Sequence, residues 1–448
     1  MSNLNFSEPF RKLKRLSPRS VGVVRGSLGS ILNFGTNQLA ALAVVPMIIG
    51  YLGPAMAGVW FTLSSLIGWL GLSDFGLGQS LLNRLSSAMG ENDSERMRKI
   101  FATGFITQAV ILGVLLIVGL TAFPFLPWGP IFGLNDPTVT SILKTPVILA
   151  FVFSIISMQI QLSGNALRAF RDGHIFFAWS AMGNICTVPA MYLAVYYNLG
   201  FVGIVLALIL VRTVFVSGAL IHAVMRHPIL LPQFGAWDHQ EFRFLWSVGG
   251  WFLVTQISGM LMQNSQNFII AHAVSVSQVP SFAIIYRLIG LPAGLLMFSL
   301  SGLVPAYREA QAAGDWAWVQ RIYLRSMKLS VGFAALSVLV VVLSPWIVTI
   351  WVGKAFVPDF WTSLWLAVYA VVNCVGTAIS ALSYALHSPR AAALTSAAYG
   401  IGILFVGYFA ALQFGAAGLS AYMALGQIFL NVAPLWLYIY TVLRRHGV

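Results

Sequence analysis

The stretch "VVPMIIGYLGPAMAGVWFTLSSLIGWLGLSDFGLGQSLLNRLSSAMG", residues 44–90, decides the fold. Only two of its side chains are charged, Asp74 and Arg84. An apolar helix of about 20 residues spans the ~30 Å hydrocarbon core of a bilayer and satisfies its own backbone hydrogen bonds there. We therefore predict that this stretch crosses a membrane as helix.

The rest of the chain has the same character. Of its 448 residues, 58% are hydrophobic and 8% are charged, and the mean hydropathy is +0.85. A soluble domain carries about 25% charged residues. We predict an all-α integral membrane protein with about twelve transmembrane helices. The predicted spans are 27–49, 55–82, 100–124, 144–167, 175–196, 201–224, 247–271, 279–305, 329–352, 362–386, 391–413 and 416–442.

The net charge of +13 follows the predicted topology. Of the 25 Lys and Arg residues, 21 lie in connections on the side that holds both termini. The positive-inside rule makes that side the cytoplasm, so the segments 1–26 and 443–448 are predicted to be cytoplasmic. The charge is thus explained by topology and by attraction to anionic membrane lipids, which excludes nucleic acid as the expected partner.

No metal or cofactor is predicted. The two cysteines, Cys186 and Cys374, both lie inside predicted spans and lack the spacing of metal ligands. Packing is the expected role of a cysteine at such a position.

The chain repeats itself at an offset of about 220 residues. "GENDSERMRKIF" (90–101) resembles "AAGDWAWVQRIY" (312–323), and "NLGFVG" (198–203) resembles "QFGAAG" (413–418). We predict two six-helix lobes related by pseudo-two-fold symmetry, an N-lobe at 27–224 and a C-lobe at 247–442. Parallel repeats of this kind are used for alternating access. The cytoplasmic connector between the lobes is 225–246, in which Asp238 and Glu241 suit the N-cap and N3 positions of a short interfacial helix.

Three charged residues lie well inside spans: Asp74, Arg212 and Arg287. From the helical rise, Asp74 is about 15 Å from the cytoplasmic end, Arg212 is near the midplane, and Arg287 is about 13 Å from the outer end. Each costs about 2.5–3.5 kcal/mol at a helix centre, so it faces a partner or a cavity. The three could pair as helix-helix contacts, or they could line a cationic cavity that passes an anionic head group.

Amide side chains occur in spans one and seven, which are equivalent in the repeat. Span one carries Asn33 and Asn37 one helical turn apart, and span seven carries Gln256 and Asn264 among several amides. Such a polar face suits a sugar-binding surface, yet it also holds helices together. The sequence leaves both interpretations open.

Residues 44–90 carry a family resemblance in the "YLGP…GVW" turn and in the "DFGLG" that follows it. They resemble the first two helices of bacterial Wzx-type polysaccharide flippases of the multidrug/oligosaccharidyl-lipid/polysaccharide (MOP) superfamily. The resemblance implies a MOP/MATE-like protein of a bacterial inner membrane. It would flip polyprenyl-pyrophosphate-linked oligosaccharide from the cytoplasmic to the periplasmic leaflet by alternating access. The expected partners are that lipid-linked glycan, membrane lipids, and a polysaccharide polymerase with its export machinery.

The resemblance also implies roles for residues. Relatives that flip the peptidoglycan precursor bind pyrophosphate with arginines in a central cavity, one of them on the eighth helix, which Arg287 matches by helix and not by motif. We predict that Arg212 and Arg287 hold the pyrophosphate and that Asp74 gates transport or couples it to an ion gradient. The predicted substrate-binding amides are Asn33, Asn37, Gln256 and Asn264.

Two rival functions are weighed against this one. A cation-coupled multidrug exporter of the same fold would want more acidic groups in its cavity than one aspartate against two arginines. A membrane enzyme of polysaccharide assembly would place general acids and bases in an outer loop. The longest outer loop, 125–143, offers Asp136 and no His or Glu. We therefore expect a transporter and not an enzyme.

Overall fold

The structure, a computed structural model, describes residues 18–91, 93–134, 137–231, 233–301, 303–386 and 389–446. Most of the predicted N-terminal segment, Asp136 and the last two residues of the predicted tail lie outside these ranges. Within them the regular secondary structure is helical throughout and includes no strand.

Fifteen α-helices are found in the described ranges. In chain order they are α1 (Pro18–Leu70), α2 (Leu77–Gly90), α3 (Ser94–Ala122), α4 (Trp128–Ile131), α5 (Pro137–Ala169), α6 (Gly173–Tyr196), α7 (Gly200–Arg226), α8 (His239–Ala273), α9 (Val279–Ser301), α10 (Leu303–Ala312), α11 (Trp316–Trp351), α12 (Phe360–Ala385), α13 (Pro389–Gly402), α14 (Tyr408–Gly426) and α15 (Ala433–Arg445). Two π-helical segments, Ile403–Gly407 and Gln427–Val432, join the last three.

The described helices account for twelve membrane-length segments. Eight segments are long and apolar enough to cross a membrane. Two of them contain a break in the helical backbone, Arg25–Leu70 at Gly53 (φ 77°) and Ala391–Arg445 at Gly415 (φ 63°). Each of these two segments therefore comprises two membrane-length stretches, one on either side of the glycine. Adding α6 and α8, which have 24 and 35 residues, gives twelve. The chain is a multi-pass, all-α membrane protein, and this prediction is confirmed.

The second predicted span differs from the prediction. It was expected to run unbroken over 55–82, but α1 ends at Leu70 and a 3₁₀ turn occupies Gly71–Asp74 before α2 begins. Phe75 (φ 48°) and Gly76 (φ 74°) follow in the left-handed region. Glycine adopts this conformation at little cost, whereas phenylalanine does not, so the run of glycines permits the break.

The described chain forms two compact units. The first unit comprises the described part of Met1–Met47 together with Leu70–Leu126 and Ile142–Phe252. Its core is built from fully buried aliphatic and aromatic side chains of α2, α3, α5 and α7 and of the connector that follows α7. They include Leu81, Leu85, Phe101, Leu167, Ala223 and Leu230.

The second unit comprises Ile48–Trp69, Pro127–Ser141 and Leu253–Val448. Its longest helix, α11, buries a stripe of small residues that includes Ser330, Ala334, Ser337 and Ser344. Small side chains let membrane helices approach closely, and Ser337 also donates a hydrogen bond to the Phe333 carbonyl in its own helix. Residues 48–69, which the sequence repeat assigns to the N-lobe, group with this unit. The repeat boundaries themselves stay a prediction.

The connector before α8 is partly as expected. The Asp238 carboxylate accepts hydrogen bonds from the backbone amides of Gln240 and Glu241, so it caps the helix as predicted. No separate interfacial helix is found there, because α8 runs without interruption from His239 to Ala273. Glu241 does not close a capping box either. Its carboxylate pairs with Arg84 and Arg96.

Candidate functional site

Arg212 and Asn37 form a polar contact in the first unit. An Arg212 guanidinium nitrogen donates to Asn37 Oδ1 at 2.8 Å, joining α7 to α1. The acceptor is a neutral amide, and Arg212 forms no ion pair with any described side chain. The arginine therefore keeps its net charge while one of its five N–H donors is satisfied.

Asn33 lies one turn from Asn37 on α1, as predicted, but it contacts a different helix. Asn184 of α6 donates from Nδ2 to Asn33 Oδ1 at 3.1 Å. The two predicted amides thus hold α1 against α6 and α7. Asn184 was not among the predicted residues, although it stands out in the sequence as a lone amide in an otherwise apolar span.

Asp74 caps the start of α2, at the break that follows α1. Its Oδ1 accepts from the backbone amide of Gly78 at 2.8 Å, in the first turn of α2. A carboxylate at this place satisfies an amide that has no partner within the helix and lies at the positive end of the helix dipole. Among the described residues Asp74 forms no ion pair, so neither arginine is its salt-bridge partner in this structure.

A small polar cluster surrounds the Asp74 cap. A Cβ added to Gly78 would clash with Asn165 Nδ2 and would lie 3.1 Å from Asp74 Oδ2, so both polar atoms approach the glycine backbone. Asn165 in turn accepts a hydrogen bond from Arg168 of the same helix, α5. Gly78 is therefore required for the approach of Asn165 to the cap. Sequence reasoning missed Asn165 and Arg168 because nothing local links "SGNALR" to "DFGLG".

Arg287 lies in the second unit, on α9. Its guanidinium carbon is 5.8 Å from the centre of the Phe61 ring, within the range of a cation–π contact. Phe61 was not predicted, and an aromatic residue in an apolar span gives no signal that would single it out.

The amides of α8 pack against the second half of α1, within the second unit. Asn264 Oδ1 lies 2.7 Å from the position that a Cβ of Gly68 would occupy. Asn267 donates to Ser65 Oγ at 3.1 Å. These contacts are helix-helix packing, which is one of the two roles the sequence left open. Gln256, the remaining predicted amide, is half-buried two turns earlier on α8.

Glu241 is the centre of an ion-pair cluster in the first unit. Arg84 donates to both carboxylate oxygens, at 2.8 and 3.1 Å, and Arg96 lies 3.5 Å away. The Arg84 guanidinium also stacks on the Phe244 ring at 4.0 Å. Glu241 is buried, so the cluster ties the start of α8 to the α2–α3 hairpin. The sequence offered Glu241 only as a capping residue.

Asp172, between α5 and α6, forms a second such contact. Its Oδ2 accepts from Arg226 Nε at 2.7 Å and lies 2.9 Å from His227 Nε2. Burial alone would raise the pKa of Asp172, but the hydrogen bonds to His227 and Arg226 outweigh it and lower the pKa below its usual value. The carboxylate thereby anchors the C-terminal end of α7 to the loop between α5 and α6.

Twelve membrane-length helices and two helical units define a class of polytopic membrane proteins, and solved structures identify its fold. An inward-facing multidrug resistance MATE family transporter of the MOP superfamily has a TM-score of 0.77 at 15% identity, covering 93% of this chain and 98% of that chain. A MOP superfamily transporter from Pyrococcus furiosus has a TM-score of 0.69 at 14% identity over 98% of both chains. The lipid II flippase MurJ, in an inward closed conformation, has a TM-score of 0.69 at 14% identity, covering 92% of this chain and 87% of that chain.

No protein-family model and no curated protein matches the sequence. At 14–15% identity the structural likenesses show the fold, and the chain has the fold of the MOP superfamily transporters. The three structures are of two transporters and a flippase, and none is described as a polysaccharide flippase.

Proposed function

We propose that this protein flips a polyprenyl-pyrophosphate-linked oligosaccharide from the cytoplasmic to the periplasmic leaflet of a bacterial inner membrane by alternating access. Both termini lie in the cytoplasm, as the placement of lysine and arginine indicates. The product serves the export of a surface polysaccharide, with a polymerase and an export machinery as downstream partners. Membrane lipids surround the protein throughout.

The observation that carries the proposal is the state of Arg212. Its guanidinium is bound by the neutral amide of Asn37 and by no described carboxylate, so a positive charge remains inside a membrane-length helix. An uncompensated cation there is costly and is expected to serve a ligand or an ion path. Arginine suits pyrophosphate in particular, because its planar fork donates two parallel hydrogen bonds to one phosphate.

The other predicted residues take supporting roles in this proposal. Arg287 provides the phosphate donor of the second unit, with Phe61 keeping its side chain extended. Polar contacts for the substrate come from the predicted amides Asn33, Asn37, Gln256 and Asn264. Some of these amides already contact neighbouring helices, so only their remaining N–H donors can bind the substrate. Asp74 acts as a gating or coupling group at the break between α1 and α2.

The test is a flipping assay in proteoliposomes. The purified chain is reconstituted with a fluorescent polyprenyl-pyrophosphate-linked disaccharide, and the fraction that an external quencher reaches is followed over time. We expect protein-dependent flipping that Arg212→Ala abolishes, while Arg212→Lys retains part of the rate. Flipping at the wild-type rate in Arg212→Ala would contradict the proposal.

A second candidate is a cation-coupled multidrug exporter, which the charge of Asp74 favours. Its carboxylate lies in the second predicted span, at the break between α1 and α2, and forms no ion pair among the described residues, as a cation-coupling group requires. The same proteoliposomes, loaded with a cationic dye and energised by a proton or sodium gradient, distinguish the two. Dye efflux that Asp74→Asn abolishes, without flipping of the lipid-linked sugar, would replace the proposed function with this one.

A further inference from the structure

The first turns of α11 project beyond the length of a membrane core. The helix has 36 residues, or about 54 Å, against a hydrocarbon thickness of ~30 Å. From Leu329 to Trp351 the helix is uncharged, which is about 34 Å of apolar length. The preceding residues, 316–328, therefore extend through the headgroup region. They carry Arg321, Arg325 and Lys328.

These three cations lie on one face of the helix. Positions i, i+4 and i+7 fall within about 60° around the axis at 3.6 residues per turn. All three residues are exposed, and none forms an ion pair with a described side chain. The one acidic residue at this end of the helix, Asp315, is engaged as the N-cap by the Trp318 amide at 2.9 Å.

The same face continues toward the other end of the helix as an apolar column. Leu339, Trp346 and Ile350 lie on it, 51%, 65% and 87% exposed, respectively. Large apolar side chains exposed along one sector of a membrane helix face lipid. The cations at the end of that column therefore face lipid as well, at the depth of phosphate groups.

The repeat supplies an internal comparison. Lys99 on α3 is the counterpart of Arg321 in the aligned segments, and it pairs with Glu95 at 2.9 Å. At the same offset, Thr103 and Ile106 stand where α11 has Arg325 and Lys328. The first unit thus neutralises or omits the cations that the second unit keeps unpaired.

We propose that Arg321, Arg325 and Lys328 form a binding site for the headgroup of an anionic phospholipid of the cytoplasmic leaflet. The acyl chains lie along the column of Leu339, Trp346 and Ile350. The cations span about 10 Å of helix and have long flexible stems, which suits a phosphodiester beside an acyl chain. Beyond Lys328 the column of Leu339, Trp346 and Ile350 has one polar group, the indole N–H of Trp346, so it suits acyl chains better than a sugar.

The site is tested by native mass spectrometry of the full chain, titrated with dioleoyl phosphatidylglycerol or with dioleoyl phosphatidylcholine. A cation near an anionic membrane surface contributes about fivefold in affinity. We expect Arg321→Gln to weaken phosphatidylglycerol binding about fivefold and the triple variant R321Q/R325Q/K328Q to weaken it roughly a hundredfold. Phosphatidylcholine binding should be unchanged in both.

The matched control is Lys99→Gln, which removes the counterpart cation that Glu95 already neutralises. We expect almost no change in phosphatidylglycerol binding. An equal loss in Lys99→Gln and Arg321→Gln would show a general charge effect and overturn the site. Retained phosphatidylglycerol affinity in the triple variant would overturn it as well.

Two further probes distinguish other sources of phosphate. Inorganic phosphate lacks acyl chains. At the concentration at which phosphatidylglycerol saturates the site, phosphate should therefore not displace the lipid. Binding of undecaprenyl pyrophosphate should be far less affected by the triple variant than binding of phosphatidylglycerol. Competition by free phosphate, or a loss confined to undecaprenyl pyrophosphate, would contradict a phospholipid site. Because the three side chains are exposed, the triple variant should fold. If it does not fold, the comparison of Arg321→Gln with Lys99→Gln decides whether the site exists.

Discussion

The two units use their charged residues differently. Among the side chains that the structure describes, five ion pairs of arginine or lysine and the His227–Asp172 contact are found, and all of them lie in the first unit. In the second unit Arg287 lies over the Phe61 ring, Arg308 donates to the Tyr384 carbonyl at 3.1 Å, and the cations of α11 face lipid. Charge in the first unit mainly fixes loops to helices. The described charges of the second unit contact an aromatic ring, a backbone carbonyl and, in the proposed site, lipid.

The difference follows from where the carboxylates are. The first unit places Glu91, Glu95, Asp172 and Glu241 next to cations at the ends of its helices. Arg212 lies in a membrane-length helix and forms no ion pair with a described side chain, only the hydrogen bond to Asn37. The comparison therefore predicts structural losses from charge removal at the loops of the first unit, and functional losses from removal at Arg212 and in the second unit.

The largest effect expected in the second unit is on transport and comes from Arg287. Arg287→Ala removes the proposed phosphate donor, and losing a hydrogen bond to a charged group costs about 1.5–3 kcal/mol, or at least about tenfold in rate. Arg287→Lys should rescue only part, because an ammonium keeps the charge but not the bidentate fork. The measurement is the flipping rate in proteoliposomes, with thermal stability measured in parallel. A loss of stability with normal transport would make Arg287 structural and erase the contrast between the units.

The next effect is on stability and comes from Glu241. Glu241→Ala strands Arg84 and Arg96 around a buried vacancy, and breaking a buried ion pair costs about 3–5 kcal/mol. Glu95→Ala is the control, since its pair with Lys99 is exposed and solvent-screened and should contribute little to stability. Thermal unfolding in detergent measures both. Equal shifts in the two variants would show that burial of Glu241 does not distinguish the cluster from a surface pair.

Variants of Asp74 should distinguish its structural role as a helix cap from its proposed role in gating or ion coupling. Asp74→Ala removes the acceptor for the Gly78 amide and should cost about 1 kcal/mol of unfolding free energy, as the loss of a helix cap does. Asp74→Asn retains an acceptor oxygen, so its stability should stay close to that of the wild type. If the carboxylate gates or couples transport, both variants transport poorly. In Asp74→Asn the remaining transport rate no longer depends on the ion gradient. Normal transport by Asp74→Asn would leave Asp74 as a cap alone.

Much of the fold could be predicted because each span carries its own signal. A run of about 20 apolar residues is enough to indicate a membrane helix, and all twelve segments were predicted from such runs. The break at Gly71–Gly76 was not predicted, since hydropathy does not register a left-handed turn such as the one at Phe75. Residues 48–69 could not be assigned to their unit either, because that depends on packing and not on chain order.

The candidate site was predictable only in part. An ionisable residue in an apolar span is conspicuous, so Asp74, Arg212 and Arg287 could be singled out. Their partners could not, because Asn37 and Arg212 are 175 residues apart and only the fold brings them together. Phe61 gave no signal at all, since one phenylalanine in an apolar span resembles any other.

The smallest expected effect is a pH dependence at Asp172, which refines the picture of the first unit as held by ion pairs. The pKa of Asp172 is lowered in the folded protein, so the contact stabilises the fold above the ordinary carboxyl pKa of about 3.9 and is lost as pH falls through the folded value. Arg226 is half exposed, so the contribution should be below about 1 kcal/mol. Asp172→Asn should therefore unfold slightly earlier than the wild type at pH 5, and the gap should close toward pH 3. Thermal unfolding over that range measures the gap. A gap that stays constant would mean that the Asp172 side chain stabilises the loop by packing and not by its charge.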